Sequence, residues 1–281
     1  MPDIAQLAQF KEWIGRTDIR QDVVTAAPLV ALAALLDRDD PPPVAGDAAP
    51  PLAHWLYFLP NYRQSEAGPD GHALRGSFLP PVPLARRMWA GSRLEFLRPL
   101  RVGARIARLS RIQDVAPKEG RSGPLVFVTI RHEVSDEEGP VLTDEHDIVF
   151  RGETALGDKS VPAATGEAWR REIRPDPVLL FRYSAVTFNS HRIHYDHPYA
   201  TKIEGYPGLV VHGPLIATLL VDLLRRHSNA ALRTYSFRAL RPLYDTASFW
   251  TCGLPNDGER TAKLWTRDAQ GAVTMDAVAG W

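Results

Sequence analysis

The chain has 281 residues, of which 44% are hydrophobic, so it is long enough for one large domain or two of ordinary size. Lys plus Arg and Asp plus Glu number 33 each, and this balance leaves no excess charge to attract nucleic acid or a membrane surface. A single cysteine, Cys252, excludes an internal disulfide framework and fits a reducing compartment. No apolar run reaches the roughly 20 residues of a membrane span, and the chain does not open on a secretory signal pattern. We therefore expect a cytoplasmic protein with no nucleic-acid or membrane partner.

Two helices are predicted at the start of the chain. Residues 3–15 have a mild helical spacing of apolar residues, which favours a short leading helix. Residues 23–36 read VVTAAPLVALAALL, an apolar and alanine-rich segment with a polar end at Asp37 and Arg38. A helix that is apolar on all faces is expected to be buried on most sides.

Residues 39–85 form a long proline-rich insertion that also contains aromatic residues, among them Trp55 and Tyr62. Segments of this length without regular structure are usually functional or disordered, and the aromatic residues argue against full disorder. Two hypotheses stay open at this point. The insertion forms part of a ligand pocket, or it simply packs over a sheet.

Alternating and β-branched residues predict two sets of strands, separated by a stretch of Gly, Pro, Ala and scattered charges that is typical of a linker. The linker is expected at residues 152–177, and the first strand of the second set at residues 178–183. The other strands are expected near residues 92–96, 104–114, 125–134, 141–150, 231–240, 248–253, 262–267 and 272–278.

A helix is predicted from about Pro214 to His227. Leucines recur there at helical spacing, Pro214 suits the first turn, and basic residues fill the last turn, where the carbonyl ends are partly negative. The unpaired N–H groups of this helix begin at Gly213, where the missing side chain lets a ligand oxygen approach. Such amides favour an anionic or polarised oxygen, for example that of a carbonyl that becomes an enolate.

Four histidines lie in or just before this region, at positions 191, 194, 197 and 212, and each is a candidate for proton transfer because the unperturbed pKa of histidine lies near neutrality. In an extended segment, His191 and His197 would share one face and His194 would lie on the other. Periodicity alone does not choose between these faces. Most histidines of this kind are surface residues or hydrogen-bonded core residues.

An internal repeat is indicated by three matches that occur in the same order. Residues 28–31 (PLVA) match residues 214–217 (PLIA), and the LRPL at residues 97–100 recurs at residues 240–243. A turn pattern at residues 134–139 also resembles that at residues 266–271. Each repeat is therefore predicted as one long helix followed by antiparallel strands. The first copy lacks the N-x-x-x-x-H and His-Gly elements of the second, with Thr25-Ala26-Ala27 in place of Val211-His212-Gly213, so we expect chemistry in the second copy and pocket shaping in the first.

The sequence T-F-N-S-H-R-I-H-Y-D, followed by Ala200 and by G-Y-P-G-L-V-V-H-G, resembles the hydratase signature of MaoC-like enoyl-thioester hydratases and dehydratases. Its form is similar to a branch with mitochondrial-type hydroxyacyl-thioester dehydratases and bacterial mesaconyl-C4-CoA and itaconyl-CoA hydratases. The resemblance implies an α+β double hot-dog fold, in which two antiparallel sheets each wrap around a central helix. The implied units are an N-terminal non-catalytic repeat at residues 1–151, a linker at 152–177 and a C-terminal catalytic repeat at 178–281.

Carried over onto this chain, the resemblance implies that His194 activates water and that the amide of Gly213 holds the thioester oxygen. The place of the leading Asp of the family is taken by Asn189, which cannot act as a base but can orient water or substrate through its amide. Proton chemistry would then rest mainly on His194. The residues expected to contact the substrate are Arg192, Tyr195, His212, Trp55 and Tyr62.

The expected reaction is the reversible hydration of a short dicarboxylic α,β-unsaturated acyl-CoA, of the mesaconyl-C4-CoA or itaconyl-CoA type. The alternatives are a (3R)-hydroxyacyl-thioester dehydratase of fatty-acid metabolism and a non-catalytic acyl-CoA-binding protein. No metal is expected, and no cofactor apart from the coenzyme A of the substrate. The chain is expected to be a monomer or a homodimer. Four arginines could bind a substrate carboxylate, although each could equally lie on the surface or meet the phosphates of coenzyme A: Arg86, Arg87, Arg182 and Arg192.

Overall fold

Ten strands form one continuous antiparallel sheet in the structure, a computed structural model that describes residues 3–120, 123–152, 162 and 166–281. The strands are β1 (Thr17–Val23), β2 (Arg86–Phe96), β3 (Arg105–Gly120), β4 (Gly123–Asp136), β5 (Gly139–Arg151), β6 (Trp169–Ile173), β7 (Thr234–Ala239), β8 (Phe249–Asn256), β9 (Thr261–Arg267) and β10 (Val273–Gly280). Their order in the sheet is β1-β3-β4-β5-β2-β7-β10-β9-β8-β6. The helices are α1 (Ile4–Ala8), α2 (Ala26–Leu35), α3 (Pro177–Thr187) and α4 (Gly213–His227).

The sheet consists of two five-stranded halves that join edge to edge where β2 pairs with β7. Gly91 lies at this junction because a side chain there would overlap the carbonyl oxygen of Phe237. The repeated LRPL sequences follow β2 and β7, and their first two amides bond to one carbonyl in each half. Leu97 and Arg98 donate to Val141, and Leu240 and Arg241 donate to Thr274. This part of the predicted repeat is confirmed.

Helix α4 is the central helix of the second half, and its predicted extent from Pro214 to His227 is confirmed within one residue. Ten consecutive residues, Leu215–Leu224, are buried against the sheet. The basic residues of the last turn include Arg226, whose guanidinium bonds to the buried carboxylate of Asp222 at 2.7 Å. Burial of this leucine-rich face supplies the main driving force for packing the helix inside the sheet.

The first half has no helix of this length in the same position. An isolated bridge joins Ala48 to Arg101, as another joins Val210 to Tyr244 directly before α4. After the first bridge the chain makes the short 3-10 turn Ala53–Leu56 where the second half forms α4. Helix α2 instead follows β1 as α3 follows β6, and α2 packs against α3. The predicted match of residues 28–31 with residues 214–217 is therefore wrong in position.

Three further expectations are corrected by the structure. Helix α2 is buried on one side only, because Ala27, Val30, Ala31 and Ala34 face solvent. The strand expected at residues 178–183 is helix α3, which begins with Pro177 after an N-cap at Asp176 whose carboxylate accepts the amide of Leu179. The expected linker at residues 152–177 contains β6, which pairs with β8. Residues 153–161 and 163–165 of this linker lie outside the described part of the chain.

In the parts of the chain that the structure describes, no helix is long and apolar enough to cross a membrane.

Candidate active site

A cavity of about 540 Å³ lies between the two halves and is lined by residues of both. The second half contributes the end of α3, the histidine motif and the start of α4. The first half contributes β2, β4 and β5, together with part of the proline-rich insertion. Since the first half has only a 3-10 turn where the second has α4, the cavity extends over its sheet as far as Ile130 and Ile148.

The end of α3 sets the orientation of Asn189. Phe188 adopts a left-handed conformation (φ 50°) at the C-cap, and the amide of Asn189 donates back to the carbonyl of Ser184 at 2.8 Å. The side-chain Oδ1 of Asn189 accepts the amide of His191 at 3.0 Å. The hydrogen-bond network thus assigns Oδ1 to the backbone and leaves the Nδ2 donors without a partner among the described residues. Asn189 lines the cavity and can donate to an oxygen there.

His194 lies in a 3-10 turn, Arg192–His194, and not in the extended segment that the sequence suggested. Its Nδ1 is 2.7 Å from the carbonyl oxygen of Val210, which can only accept, so Nδ1 carries the proton. The lone pair of Nε2 is therefore available on the same ring. Burial lowers the pKa of His194 to about 4, which keeps the imidazole neutral at pH 7.

His212 supports the ring of His194. The two rings stack with centroids 3.6 Å apart and planes 19° from parallel. Its Nε2 lies 2.9 Å from Ser184 Oγ, and the residue is fully buried. Burial, followed by the charges of His194 and His191, lowers the pKa of His212 well below its usual value. His212 does not line the cavity, so its position differs from the expected contact with substrate and suits a positioning role.

Gly213 is the first residue of α4 and lines the cavity. Its amide makes no hydrogen bond to a described residue, as expected for the first turn of a helix. An added methyl group would meet nothing closer than the Trp89 carbonyl oxygen at 3.8 Å, so packing alone does not require glycine here. The free amide and the helix N-terminus make this position suitable for a polarised oxygen.

The insertion brings two further polar residues to the motif that sequence reasoning missed, Asp70 and His72. Asp70 Oδ2 is 3.0 Å from His72 Nδ1, and the His72 ring lies 4.1 Å from that of His191, which lies 5.4 Å from that of His194. Gly71 permits this approach, because its φ is 88° and a side chain there would overlap the Ser190 carbonyl. The one signal in the sequence was a Pro-Asp-Gly-His turn within the insertion.

Ligand atoms of Asp70, His72 and His191 lie within 4.8 Å of one another, a spacing that a metal ion could bridge. Burial would raise the pKa of Asp70, but hydrogen bonds from His72 hold it below its usual value. Burial lowers the pKa of His72 and of His191, and the charge of Arg87 lowers both further. The positive charge of Arg87 therefore disfavours binding of a metal cation by Asp70, His72 and His191.

Arg192 and Tyr195 are not brought to the cavity, in contrast to the expected substrate contacts. Arg192 bonds twice to Asp196 Oδ2, at 2.9 and 2.7 Å, and lies over the ring of Tyr199. Tyr195 is 43% exposed and donates to the carbonyl of Ser190. Asp196 also accepts the amide of Tyr199, which fits the cap that a residue in this position usually forms.

Trp55 and Tyr62 line the cavity, as the pocket hypothesis for the insertion requires. Trp55 Nε1 donates to the buried carboxylate of Asp144 at 2.9 Å. Tyr62 Oη donates to the carbonyl of Gly71 at 2.6 Å and also contacts Ser190 Oγ. Both rings are therefore fixed by hydrogen bonds, and their contact with a ligand stays a prediction.

Residues 52–245 match the family described as hydroxyacyl-thioester dehydratase type 2. The chain belongs to this family. It is 45% identical over 277 residues to a mesaconyl-C(4)-CoA hydratase of Chloroflexus aurantiacus, covering 96% of this chain and 97% of that protein. It is 28% identical over 251 residues to the mitochondrial hydroxyacyl-thioester dehydratase type 2 of Schizosaccharomyces pombe, covering 76% and 79%. The MaoC-like resemblance is thereby confirmed.

Three solved structures show the same fold. A MaoC-like dehydratase from Phytophthora capsici superposes with a TM-score of 0.74 at 15% identity, covering 96% of each chain. HtdX of Mycobacterium tuberculosis superposes with a TM-score of 0.67 at 20% identity, covering 94% and 99%. Another M. tuberculosis protein, described as a double hot-dog fold, has a TM-score of 0.57 at 12% identity and covers 95% of each chain. The predicted α+β double hot-dog fold is confirmed.

Proposed function

We propose that the chain is a hydro-lyase that reversibly adds water to the double bond of a short dicarboxylic enoyl-CoA, of the mesaconyl-C4-CoA or itaconyl-CoA type. The observation that carries the proposal is the meeting of three groups at one cavity. His194 offers a lone pair at Nε2, Asn189 offers amide donors, and Gly213 offers a free backbone amide. The activity of the Chloroflexus relative supports the choice of acyl group.

The start of α4 binds the thioester. The thioester oxygen accepts the Gly213 amide, which withdraws electron density from the β-carbon and stabilises the enolate that forms. Removing one donor of this kind typically costs about 3 to 4 kcal/mol of transition-state stabilisation. The rigid stack of His194 on His212 holds the base against the same wall.

Proton transfer is assigned to His194. The Asn189 amide donates to the oxygen of a water molecule, and Nε2 of His194 takes one of its protons. The oxygen bonds to the β-carbon as the π electrons move to the thioester oxygen. The imidazolium then gives the same proton to the α-carbon, so that H and OH of one water molecule are both accounted for. The low pKa of His194 makes its imidazolium a strong acid, which favours return of the proton to carbon.

A (3R)-hydroxyacyl-thioester dehydratase remains the second candidate, because the same groups would catalyse the reverse reaction on a longer acyl chain. The observation that favours it is the apolar wall of the cavity in the first half, where Phe58, Ile130 and Ile148 lie. Neither candidate requires a metal ion or a cofactor other than the coenzyme A or carrier thiol of the substrate. A non-catalytic binding protein would have no use for the free Nε2 of His194.

The test is the loss of enoyl-thioester absorbance with purified protein and four substrates: mesaconyl-C4-CoA, itaconyl-CoA, crotonyl-CoA and a medium-chain enoyl-CoA. Conversion of a dicarboxylyl-CoA in preference to the others is expected, and preference for the medium chain would favour the second candidate. His197→Ala is the matched control for His194→Ala, since His197 belongs to the same motif but is exposed and lies outside the cavity wall. Release of free coenzyme A, or binding without turnover, would contradict both candidates.

A further inference from the structure

Three of the four arginines that the sequence offered for a substrate carboxylate are unavailable in the structure. Arg192 is bound to Asp196, and Arg86 is bound to Glu204 through an ion pair of 3.3 Å and a bond of 2.6 Å to its carbonyl oxygen. Arg182 is exposed on α3 and lies outside the cavity wall. Only Arg87 among the four reaches the cavity.

Arg87 lies on β2 and lines both the main cavity and a small adjoining one of about 90 Å³. Its neighbours in both walls include His191, Ile193 and Val210, which flank the candidate base. The guanidinium forms no hydrogen bond and no ion pair with any residue that the structure describes. A cation beside the reacting groups is therefore left without a direct counter-ion.

The charges around Arg87 offset it only in part. Burial lowers the pKa of Arg87, the carboxylate of Asp70 raises it, and the charge of Arg75 lowers it again. Asp70 is already held by the ring and the amide of His72. A guanidinium that is partly withdrawn from water without a paired anion is unfavourable for folding, and a ligand carboxylate would supply the missing anion. Its planar fork suits a carboxylate, which can accept two parallel bonds.

The position of Arg87 indicates which part of a ligand it meets. A thioester held at Gly213 places its double bond beside His194, and the His191 ring, which lines both cavities together with Arg87, lies 5.4 Å from that of His194. The group that extends from the double bond at this point is the acyl substituent and not the nucleotide of coenzyme A. A second carboxylate attached next to the double bond would therefore approach the guanidinium.

We propose that Arg87 forms the subsite for the second carboxylate of a dicarboxylic enoyl thioester and thereby selects this substrate class over neutral acyl groups. This inference rests on the proposed function and names its specificity-determining residue. The rival is Arg108 on β3, which also lines the cavity, lies over the ring of Phe58 and has an unpartnered Nε. Arg108 belongs to the wall of the first half and would suit a carboxylate at the end of a longer chain.

The test measures binding in a His194→Ala background, so that it does not depend on turnover. Calorimetry gives Kd for mesaconyl-C4-CoA and for crotonyl-CoA, which lacks the carboxylate. Arg87→Met should weaken binding of mesaconyl-C4-CoA by about 100-fold or more and leave crotonyl-CoA within a few fold. Arg87→Lys keeps the positive charge but not the two parallel donors, so its Kd for mesaconyl-C4-CoA should lie between those of the parent protein and Arg87→Met. Arg182→Met is the matched surface control.

The melting temperature supplies a second readout. Because Arg87 has no partner to lose among the described residues, Arg87→Met should melt at or above the temperature of the parent protein. Equal weakening of both ligands by Arg87→Met, a clear drop in its melting temperature, or a change of preference in Arg108→Met instead would overturn the proposal. Failure of the wild-type protein to hydrate any enoyl thioester would contradict the proposed function and leave this binding comparison decisive for Arg87.

Discussion

The two halves of the molecule each contain a polar cluster at the cavity, and the clusters differ in how their groups are matched. In the first half, the buried carboxylate of Asp144 accepts His54, Trp55 and His146 on one oxygen, at 3.1, 2.9 and 2.6 Å. In the second half, Nε2 of His194, Nδ2 of Asn189 and the Gly213 amide have no partner among the described residues. Asp144 Oδ1 and His54 Nδ1 are buried without a partner among the described residues, so the matching in the first half is confined to Oδ2. Groups bonded to one another stabilise a fold, whereas groups left open toward a cavity are available to a ligand.

The two halves also differ in the helix that lies against each sheet. The second half has the 15-residue helix α4, whose N-terminus is the proposed thioester site, while the first half has the four-residue turn Ala53–Leu56. The space that this turn leaves over the first-half sheet forms part of the cavity. The two halves therefore supply similar sheets, and the proposed catalytic role of the second half depends on an asymmetry in what each sheet contains.

The largest expected effect comes from removing the base of the second half. His194→Ala should lower turnover by about 10³- to 10⁴-fold, because it removes the only group proposed to accept and return the proton. Steady-state rates on the best substrate of the panel measure this loss. Retention of near wild-type turnover would show that another group is the base.

The thioester site can be tested by removing one N–H. Gly213→Pro eliminates the amide donor. Proline suits the first helical position and His212 is already extended (φ −61°, ψ 130°), while Pro214 disfavours the helical conformation of any larger residue at position 213, alanine included. We expect kcat/KM to fall by about 10² to 10³. Gly213→Ala keeps the donor and should lose less. Equal kcat/KM values for Gly213→Pro and Gly213→Ala would show that the Gly213 amide does not take part in the reaction.

The cluster of the first half should respond in stability. Burial would raise the pKa of Asp144, but His146 and His54 hold it well below its usual value, so the carboxylate is charged and matched. Asp144→Asn should lower the free energy of unfolding by about 3 kcal/mol, measured in urea. Asp147 lies on the same strand as Asp144, and Asp147→Asn, which breaks a half-exposed pair with Arg93 of β2, should cost less than about 1 kcal/mol. Unchanged stability with lost turnover would place Asp144 in the chemistry instead.

Both halves should lose stability in mild acid. Burial lowers the pKa of His194 to about 4 and also lowers those of His54, His132 and His212, so the folded state keeps these rings neutral. The unfolded chain binds protons below about pH 6.5, so stability is complete above that pH and is lost as the pH falls. Each such ring contributes up to about 1.4 kcal/mol per pH unit. Melting temperatures that stay constant from pH 7.5 to 5.5 would contradict this assignment.

The smallest expected effect concerns Asn189. Asn189→Asp keeps the oxygen that accepts the His191 amide but loses the Nδ2 donors, so kcat should fall by about tenfold, the value of one hydrogen bond. Asn189→Ala loses both the acceptor oxygen and the Nδ2 donors, and its kcat should fall by at least the same factor. A more active Asp variant would indicate that a second base at this position outweighs the donor.

Much of the site could be predicted from sequence because it lies in one continuous stretch. The His194 motif, the Gly213 helix start and the leucine spacing of α4 are local signals. The apolar run after Pro177 fits a strand or a helix, and only the Asp176-Pro177 start identifies α3. The short charged strands β1 and β6, which form the two edges of the sheet, have too little alternation of apolar residues to be recognised in the sequence.

Trp55 and Tyr62 of the insertion were among the predicted pocket residues, but the part played by its Asp70 and His72 could not be predicted, since it depends on where a long segment docks. Asp70 and His72 reach His191 only because the backbone there bonds to the motif, for example through the Arg192 amide and the Asp70 carbonyl at 2.9 Å. Arg87 was one of four equivalent candidates until the structure paired Arg86 and Arg192 and left Arg182 in solvent. Tertiary contacts decide which of these residues reach the site, and such contacts leave no periodic pattern in the sequence.

The most direct test of the proposed chemistry is the hydration of mesaconyl-C4-CoA in ²H₂O, with the product analysed by NMR. We predict that the wild-type protein adds one deuteron to the α-carbon, on the same face as the new hydroxyl group, and that His194→Ala adds none at a comparable rate. Release of free coenzyme A without hydration, or an unchanged product and rate from His194→Ala, would contradict the central role of His194.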